Sequence, residues 1–206
     1  APKFGNNNEI ADNEAVEITN KIADMVRSKK NYLGNNFRPD FSTPSTHLLY
    51  GYWVGALPCG RKSRDMLNYG VDPLYGEAQN GLGFRTLSLM KLPFEKMCGG
   101  YASHFCIDPK YFSSDSYESK GIEFKNKVMK PLFFNELNKN VSPFYLYVNV
   151  TTAEILRKVL AEPEKYAPSG VYIMRIHGTF VNFLDLSPAI QQDIITRLDP
   201  QSTTIC

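Results

Sequence analysis

The segment Phe144-Tyr145-Leu146-Tyr147-Val148-Asn149-Val150 restricts the choice of fold more than any other in this chain. It is almost continuously apolar, as a strand is when both of its faces are covered. Thr151-Thr152-Ala153-Glu154 follows at once and reads as a capping box for a helix ending near Ala161, with Pro163 just beyond. A strand feeding directly into a helix is half of a parallel crossover unit. The predicted class is therefore α/β, with a mainly parallel sheet or barrel.

Downstream, Tyr172 to Ile176 and Thr179 to Leu184 are short β-type runs around a single glycine, Gly178, which reads as strand, tight reversal and return strand. Ser187-Pro188 caps a last helix with Ile190, Ile194 and Leu198 on its buried face. Upstream, Asp12 or Asn13 is placed to cap a helix from about Glu14 to Lys30. Its stripe of Ala15, Ile18, Ile22, Met25 and Val26 is expected in the core. From Asn31 to Gly83 the spacing predicts a long ordered loop around the apolar patch Leu48 to Val54, weighted by Tyr50, Tyr52, Trp53, Tyr69, Tyr75 and Phe84. A short helix from Phe84 to Lys91 (Phe84, Leu87 and Met90 on one side), a strand from Tyr101 to Ile107, and a helix from Ile122 to Leu137 that Pro131 breaks or restarts complete the reading.

The charge pattern excludes several functions. Net charge is +2 in 206 residues, and the cations are dispersed apart from Arg27-Ser28-Lys29-Lys30 at a predicted helix end. That is no footprint for nucleic acid. No apolar run approaches the roughly 20 residues a bilayer requires. The chain opens on Ala1-Pro2 without an initiator methionine or apolar leader, which suggests a piece of a longer polypeptide. Cys59, Cys98, Cys106 and Cys206 have no disulfide or zinc spacing, so reduced cytoplasmic thiols are expected. Cys98, His104 and Cys106 amount to half a metal site, and no metal is predicted. Cys59 and Cys98 are expected to be buried structural thiols.

Two readings of Gly178 stay open on its residues alone. A loop glycine supplies φ > 0 at no steric cost. Alternatively, Gly178 carries a backbone radical: only glycine lacks the Cβ that would strain a planar radical, and the flanking amide and carbonyl delocalise the spin. His177 either tunes that loop by hydrogen bonding or is a satisfied core histidine. Asn149 and Asn182 interrupt apolar strands, to bond backbone or to touch a substrate.

Several segments in fixed order resemble the C-terminal region of the glycyl radical enzymes, in their pyruvate formate-lyase branch. They are Pro2-Lys3-Phe4-Gly5-Asn6, Gly55-Ala56-Leu57-Pro58-Cys59-Gly60-Arg61-Lys62, Asp72-Pro73-Leu74-Tyr75-Gly76 and Lys91-Leu92-Pro93-Phe94. Val148-Asn149-Val150, Glu162-Pro163-Glu164-Lys165-Tyr166, the signature Arg175-Ile176-x-Gly178 and Asp185-Leu186-Ser187-Pro188 continue the series. The chain departs from the family pattern at His177 and Thr179, where a small residue and a tyrosine are usual, and at Cys59, where an aspartate is.

The resemblance implies the later part of a ten-stranded α/β barrel, with residues 1–140 belonging to the barrel domain and 141–206 forming a glycine radical domain. Gly178 would be the catalytic residue, on a loop inserted into the barrel, with Arg175, His177, Thr179 and Phe180 as neighbours and Tyr172, Ile176 and Phe183 packed around it. Arg175 would position that loop or be read by an activating enzyme; the alternative is a pairing with Asp185. No cofactor or metal would be bound. A separate radical enzyme using S-adenosylmethionine and a four-iron–four-sulfur cluster would install the radical, which then passes to a cysteine thiyl upstream of this chain. The first candidate reaction is acyl transfer between pyruvate and coenzyme A, releasing formate. Elimination or decarboxylation by a sibling enzyme, and a radical-carrying spare-part subunit, are the alternatives. The complete protein is expected to be an oxygen-sensitive, cytoplasmic homodimer acting on a small molecule, without nucleic-acid or membrane partners.

Overall fold

The computed structural model describes residues 1–42, 46–74, 76–107, 109–134, 145–149, 151–176 and 179–198, with backbone alone at 82, 104–106, 132, 145–149 and 197. The first helix, α1 (Glu9–Arg27), starts earlier than its sequence suggests. Asn8 is the cap: its side-chain oxygen accepts from the amides of Ile10 and Ala11, satisfying donors that a helix start leaves open. Asp12 consequently lies inside the first turn, fully buried, with Oδ2 2.7 Å from the Lys91 ammonium. Lys96 pairs with Asp24 at 2.8 Å, and Ala23 between them is fully buried. These ties fix the rotation of α1, so the expected stripe is not the buried one. Ile18, Ile22 and Met25 are exposed, whereas Asp12, Ala15, Val16, Ala23 and Val26 face the body or its margin.

The loop before α1 docks on residues 73–80. Asn6 Nδ2 donates to the Glu77 carbonyl at 2.6 Å and Lys3 pairs with Glu77 at 3.1 Å. Gly5 has φ +97°, and a Cβ there would lie 2.3 Å from Pro73 Cγ, so only glycine fits.

The patch predicted inside a long loop is a helix, α2 (Thr46–Trp53). Beyond it the chain is organised by Arg61, which is 4% exposed. Its guanidinium donates to the carbonyls of Gly51 at 2.7 Å, Gly55 at 2.8 Å, Met66 and Val54 at 3.4 Å, and Asp65. A buried cation is tolerated there because backbone oxygens replace its water. Tyr75, expected in this loop, lies outside the described residues. The next helix, α3 (Leu82–Leu89), buries Arg85, Ser88 and Leu89, while Phe84 and Leu87 of the expected face are exposed.

Strands β1 (Asp40–Phe41), β2 (Gly100–Cys106) and β3 (Tyr145–Asn149) form a parallel sheet in that order, with Ala102 opposite Tyr145 and Cys106 opposite Asn149. Phe144 and Val150, the ends of the expected strand, lie outside the described residues. Between β2 and β3, α4 (Tyr117–Phe124) runs through a π turn (Lys125–Met129) into α5 (Lys130–Phe133) without the expected break. Pro131 cannot donate an amide and crowds the preceding turn, and the wide turn just before it relieves both demands.

After β3 come α6 (Ala153–Ala161), α7 (Pro163–Tyr166), β4 (Ile173–Ile176), β5 (Thr179–Asn182) and α8 (Pro188–Leu198). The cap of α6 is Thr152, whose Oγ1 accepts from Ile155 N at 3.1 Å. Glu154 does not close a capping box; it pairs with Lys158 at 2.5 Å. Strands β4 and β5 form an antiparallel hairpin separate from the parallel sheet. One core gathers Leu89, Leu92, Phe94, Met97, Tyr101, Ile107, Phe112 and Val128. A second gathers Ala153, Leu156, Val159, Met174, Phe183, Ile194, Ile195 and Leu198, among others. The expected division at 140/141 falls outside the described residues.

Candidate functional site

The hairpin is built on the second core. Alternation along β4 turns Met174 inward and leaves Ile173 and Arg175 exposed, as a two-residue period requires. Its register pairs Ile173 with Asn182, Met174 with Val181, Arg175 with Phe180 and Ile176 with Thr179. His177 and Gly178, which separate the last pair in sequence, lie outside the described residues. Thr179 and Phe180 are both exposed, Phe180 at 70%.

The expected aromatic packing is thus divided. Phe183 is fully buried and meets Tyr172 edge-on at 6.3 Å, whereas Phe180 faces outward. Arg175 does not pair with Asp185. Its guanidinium lies 5.6 Å from the Phe180 ring centroid, its cross-strand neighbour, in a cation–π contact.

Asn182 fastens the base of the hairpin. Its Oδ1 accepts from Tyr172 N at 2.8 Å, and its Nδ2 donates to the Gly170 carbonyl at 3.1 Å. It bonds backbone and holds the entry to β4 against the exit from β5. The Asn149 side chain lies outside what is described. Gln191 of α8 donates to the Phe183 carbonyl at 2.9 Å, tying that helix to the chain leaving β5.

Sequence reasoning missed four buried polar groups. Asp72 accepts from Ser103 Oγ at 2.5 Å and pairs with Arg85 at 2.6 Å, fixing the 68–77 loop to β2 and α3. The Asp12–Lys91 pair and the Arg61 web are the second and third. The fourth is His47 of α2 with Asp193 of α8, at 3.6 Å. Asp193 carried a signal, because it interrupts the apolar face made by Ile190, Ile194 and Leu198. Asp12–Lys91 and Asp72–Ser103 join positions far apart in the chain, whereas the Arg61 web is local but binds backbone carbonyls, which leave no side-chain pattern.

Cys59 and Cys98 are exposed, contrary to expectation; both sit in irregular chain segments outside the two cores. Among the described residues no group of three or more metal-ligating side chains converges, and no helix is long and apolar enough to cross a membrane. The side chains of His104 and Cys106 and all of Cys206 lie outside what is described.

A family model described as pyruvate formate lyase-like matches residues 1–51. Formate acetyltransferase 1 of Escherichia coli strain K12 is 29% identical over 201 residues, covering 98% of this chain and 26% of that protein. Among solved structures, the glycerol-bound B12-independent glycerol dehydratase from Clostridium butyricum aligns with a TM-score of 0.79 at 28% identity, over 95% of this chain and 23% of its own. A glycyl radical enzyme from Archaeoglobus fulgidus aligns with a TM-score of 0.79 at 25% identity, over 100% of this chain and 24% of its own. The chain spans about a quarter of the length of the relatives it matches. On these matches the chain is similar to the pyruvate formate-lyase-like family of glycyl radical enzymes, as a mixed α/β portion of the fold those longer structures share.

Proposed function

We propose that this chain is the radical-storing, C-terminal portion of a glycyl radical enzyme, with Gly178 as the carrier. The observation that carries the reading is the place of Gly178 in sequence, between two strands whose pairing runs to Ile176 and Thr179 and whose base rests on a closed core. In this reading residues 141–206 are the radical domain and 1–140 the later part of the barrel. An activating enzyme using S-adenosylmethionine removes one hydrogen atom from the Gly178 Cα, and the unpaired electron is shared with the flanking amide and carbonyl. Arg175 and Phe180, stacked across the hairpin, stiffen the strands beside that glycine and present a cationic, aromatic face to the activating enzyme. A cysteine elsewhere in the complete protein then receives the radical as a thiyl and attacks the substrate. In this reading the complete protein would work in the anaerobic cytoplasm as a homodimer.

Acyl transfer between pyruvate and coenzyme A is the first candidate reaction, supported by the formate acetyltransferase match across 98% of the chain. Elimination of water is the second, supported by the alignment with a glycerol dehydratase. Anaerobic activation should give a glycine-type doublet in electron paramagnetic resonance, and Gly178→Ala should abolish it. Air should then cleave the activated chain to a product ending close to His177, read by intact mass. A doublet that survives in Gly178→Ala would sink the assignment.

A further inference from the structure

One buried pair belongs to neither core. His47, in the first turn of α2, is 2% exposed, and Asp193, midway along α8, is 4% exposed. His47 Nε2 and Asp193 Oδ1 are 3.6 Å apart, in contact but too far to share a hydrogen. Neither ring nitrogen of His47 has a hydrogen-bond partner among the described residues. The imidazole instead meets the Tyr69 ring edge-on at 5.2 Å. Both nitrogens are buried without a protein hydrogen-bond partner among the described residues, a condition that folded proteins rarely leave in place.

The two ends of the contact are anchored in different parts of the molecule. Leu67 N donates to the His47 carbonyl at 3.2 Å, and Arg61 donates to Gly51 one turn further along α2, so His47 belongs to the loop web of the first region. Asp193 is followed by Ile194 and Ile195, both in the second core, and preceded by Gln191, which holds the Phe183 carbonyl at the end of the hairpin. Among the described residues the two cores share none. His47 and Asp193 therefore meet across a seam between two bodies, on the helix that supports β4 and β5.

We infer that the His47–Asp193 contact seats the hairpin module, residues 153–198, on the rest of the chain and thereby positions the hairpin. The module's described core does not include His47, so breaking the seat loosens the module without opening the first core. A movement of well under about 1 Å would bring the pair to hydrogen-bond distance. The seat is thus a catch that small displacements of α8 tighten or free. Both residues act through α8 and the strands it supports, which makes them positioning residues. Their bearing on Gly178 rests on the radical reading above, but the seat itself does not.

Hydrogen–deuterium exchange of the full chain tests this with His47→Ala, Asp193→Ala, the double variant and His47→Gln, whose amide nitrogen takes the place of Nε2 and can donate to Asp193. Exchange of amides in 173–176, 179–182 and 188–198 should rise about tenfold in each single alanine variant, and no further in the double, as coupled partners require. His47→Gln should restore most of the protection, and amides of 100–106 should keep theirs throughout. Additive effects in the double variant, a rise shared equally with 100–106, or no rise at all would each overturn the seat. If His47→Ala does not fold, His47→Gln against Asp193→Ala carries the same comparison. Anaerobic activation of the same proteins separates the two claims. A parent chain with no doublet and the expected exchange pattern loses the radical reading and keeps the seat; a doublet with uniform exchange does the reverse.

Discussion

Among the described residues the second core draws its buried members from Ala153 to Leu198, whereas the first collects Leu89 to Val128 and packs against Phe4, Val16, Phe41 and Val71 from distant parts of the chain. The second closes within one short stretch of sequence and needs few long loops to form. The first is assembled across long loops, whose closure entropy must be offset before its contacts form. Buried polar ties supply part of that offset. Lys91 reaches Asp12 across a separation of 79 residues, and Arg85 and Ser103 meet on Asp72. Local apolar patterning suffices to build the hairpin's support, while the larger region depends on individual charges.

The sharpest way to break this contrast is at Leu156, fully buried in the second core. Leu156→Ala should cost about 2–5 kcal/mol, read by urea unfolding. Exchange should rise across 153–198 and stay low in 100–106. Equal exposure of both would mean the regions unfold together and the contrast is empty.

A somewhat smaller effect is expected at Lys91. Lys91→Met strands a fully buried Asp12 carboxylate, at a cost of about 3 kcal/mol; this is the low end for broken buried pairs, because the lysine side chain is 33% exposed. Adding Asp12→Asn should recover most of the loss in the same unfolding assay. Failure to recover would show that α1 is not held by this pair.

The smallest effect is acid loosening of the turn before α4. Hydrogen bonds from Lys127 and then Ser114 hold the Glu123 carboxyl down to about 2 from an ordinary 4.5. Because the folded value is the lower one, the stabilisation is complete above 4.5 and is lost as pH falls through about 2. A carboxyl titration followed by NMR should find that low midpoint, with the hairpin module unchanged. A midpoint near 4.5 would remove the tie.

The α8 face was legible because Ile194 and Leu198 are large, helically spaced and buried against a nearby core. On α1 the same periodicity misled, because Asp12 and Asp24 set the rotation through contacts with Lys91 and Lys96 far along the chain. A hydrophobic stripe reports that a helix has an apolar side, not that this side meets this chain. The hairpin strands were readable from their β-type runs around a glycine, and Asn182 as a backbone clamp from its place between apolar residues. The outward turn of Phe180 was not, since a short strand does not say which of its faces the core will take. Asp193 showed as a break in the apolar face of α8, but its pairing with His47 was invisible for the reason that of Asp12 and Lys91 was: a polar pair between distant positions has no period.

The wide turn at Lys125–Met129 has a consequence for the helical phase on either side of it. An extra residue in one turn rotates everything after it by about 100° relative to an unbroken α-helix. Phe124 before the turn and Phe133 after it both pack against the first core, with Val128 buried between them. A helical wheel drawn straight through this stretch would put those three residues on the wrong relative bearings. Removing one residue inside the turn would restore ideal winding and swing Phe133 away from its contacts, so the regular helix would be the less well packed of the two.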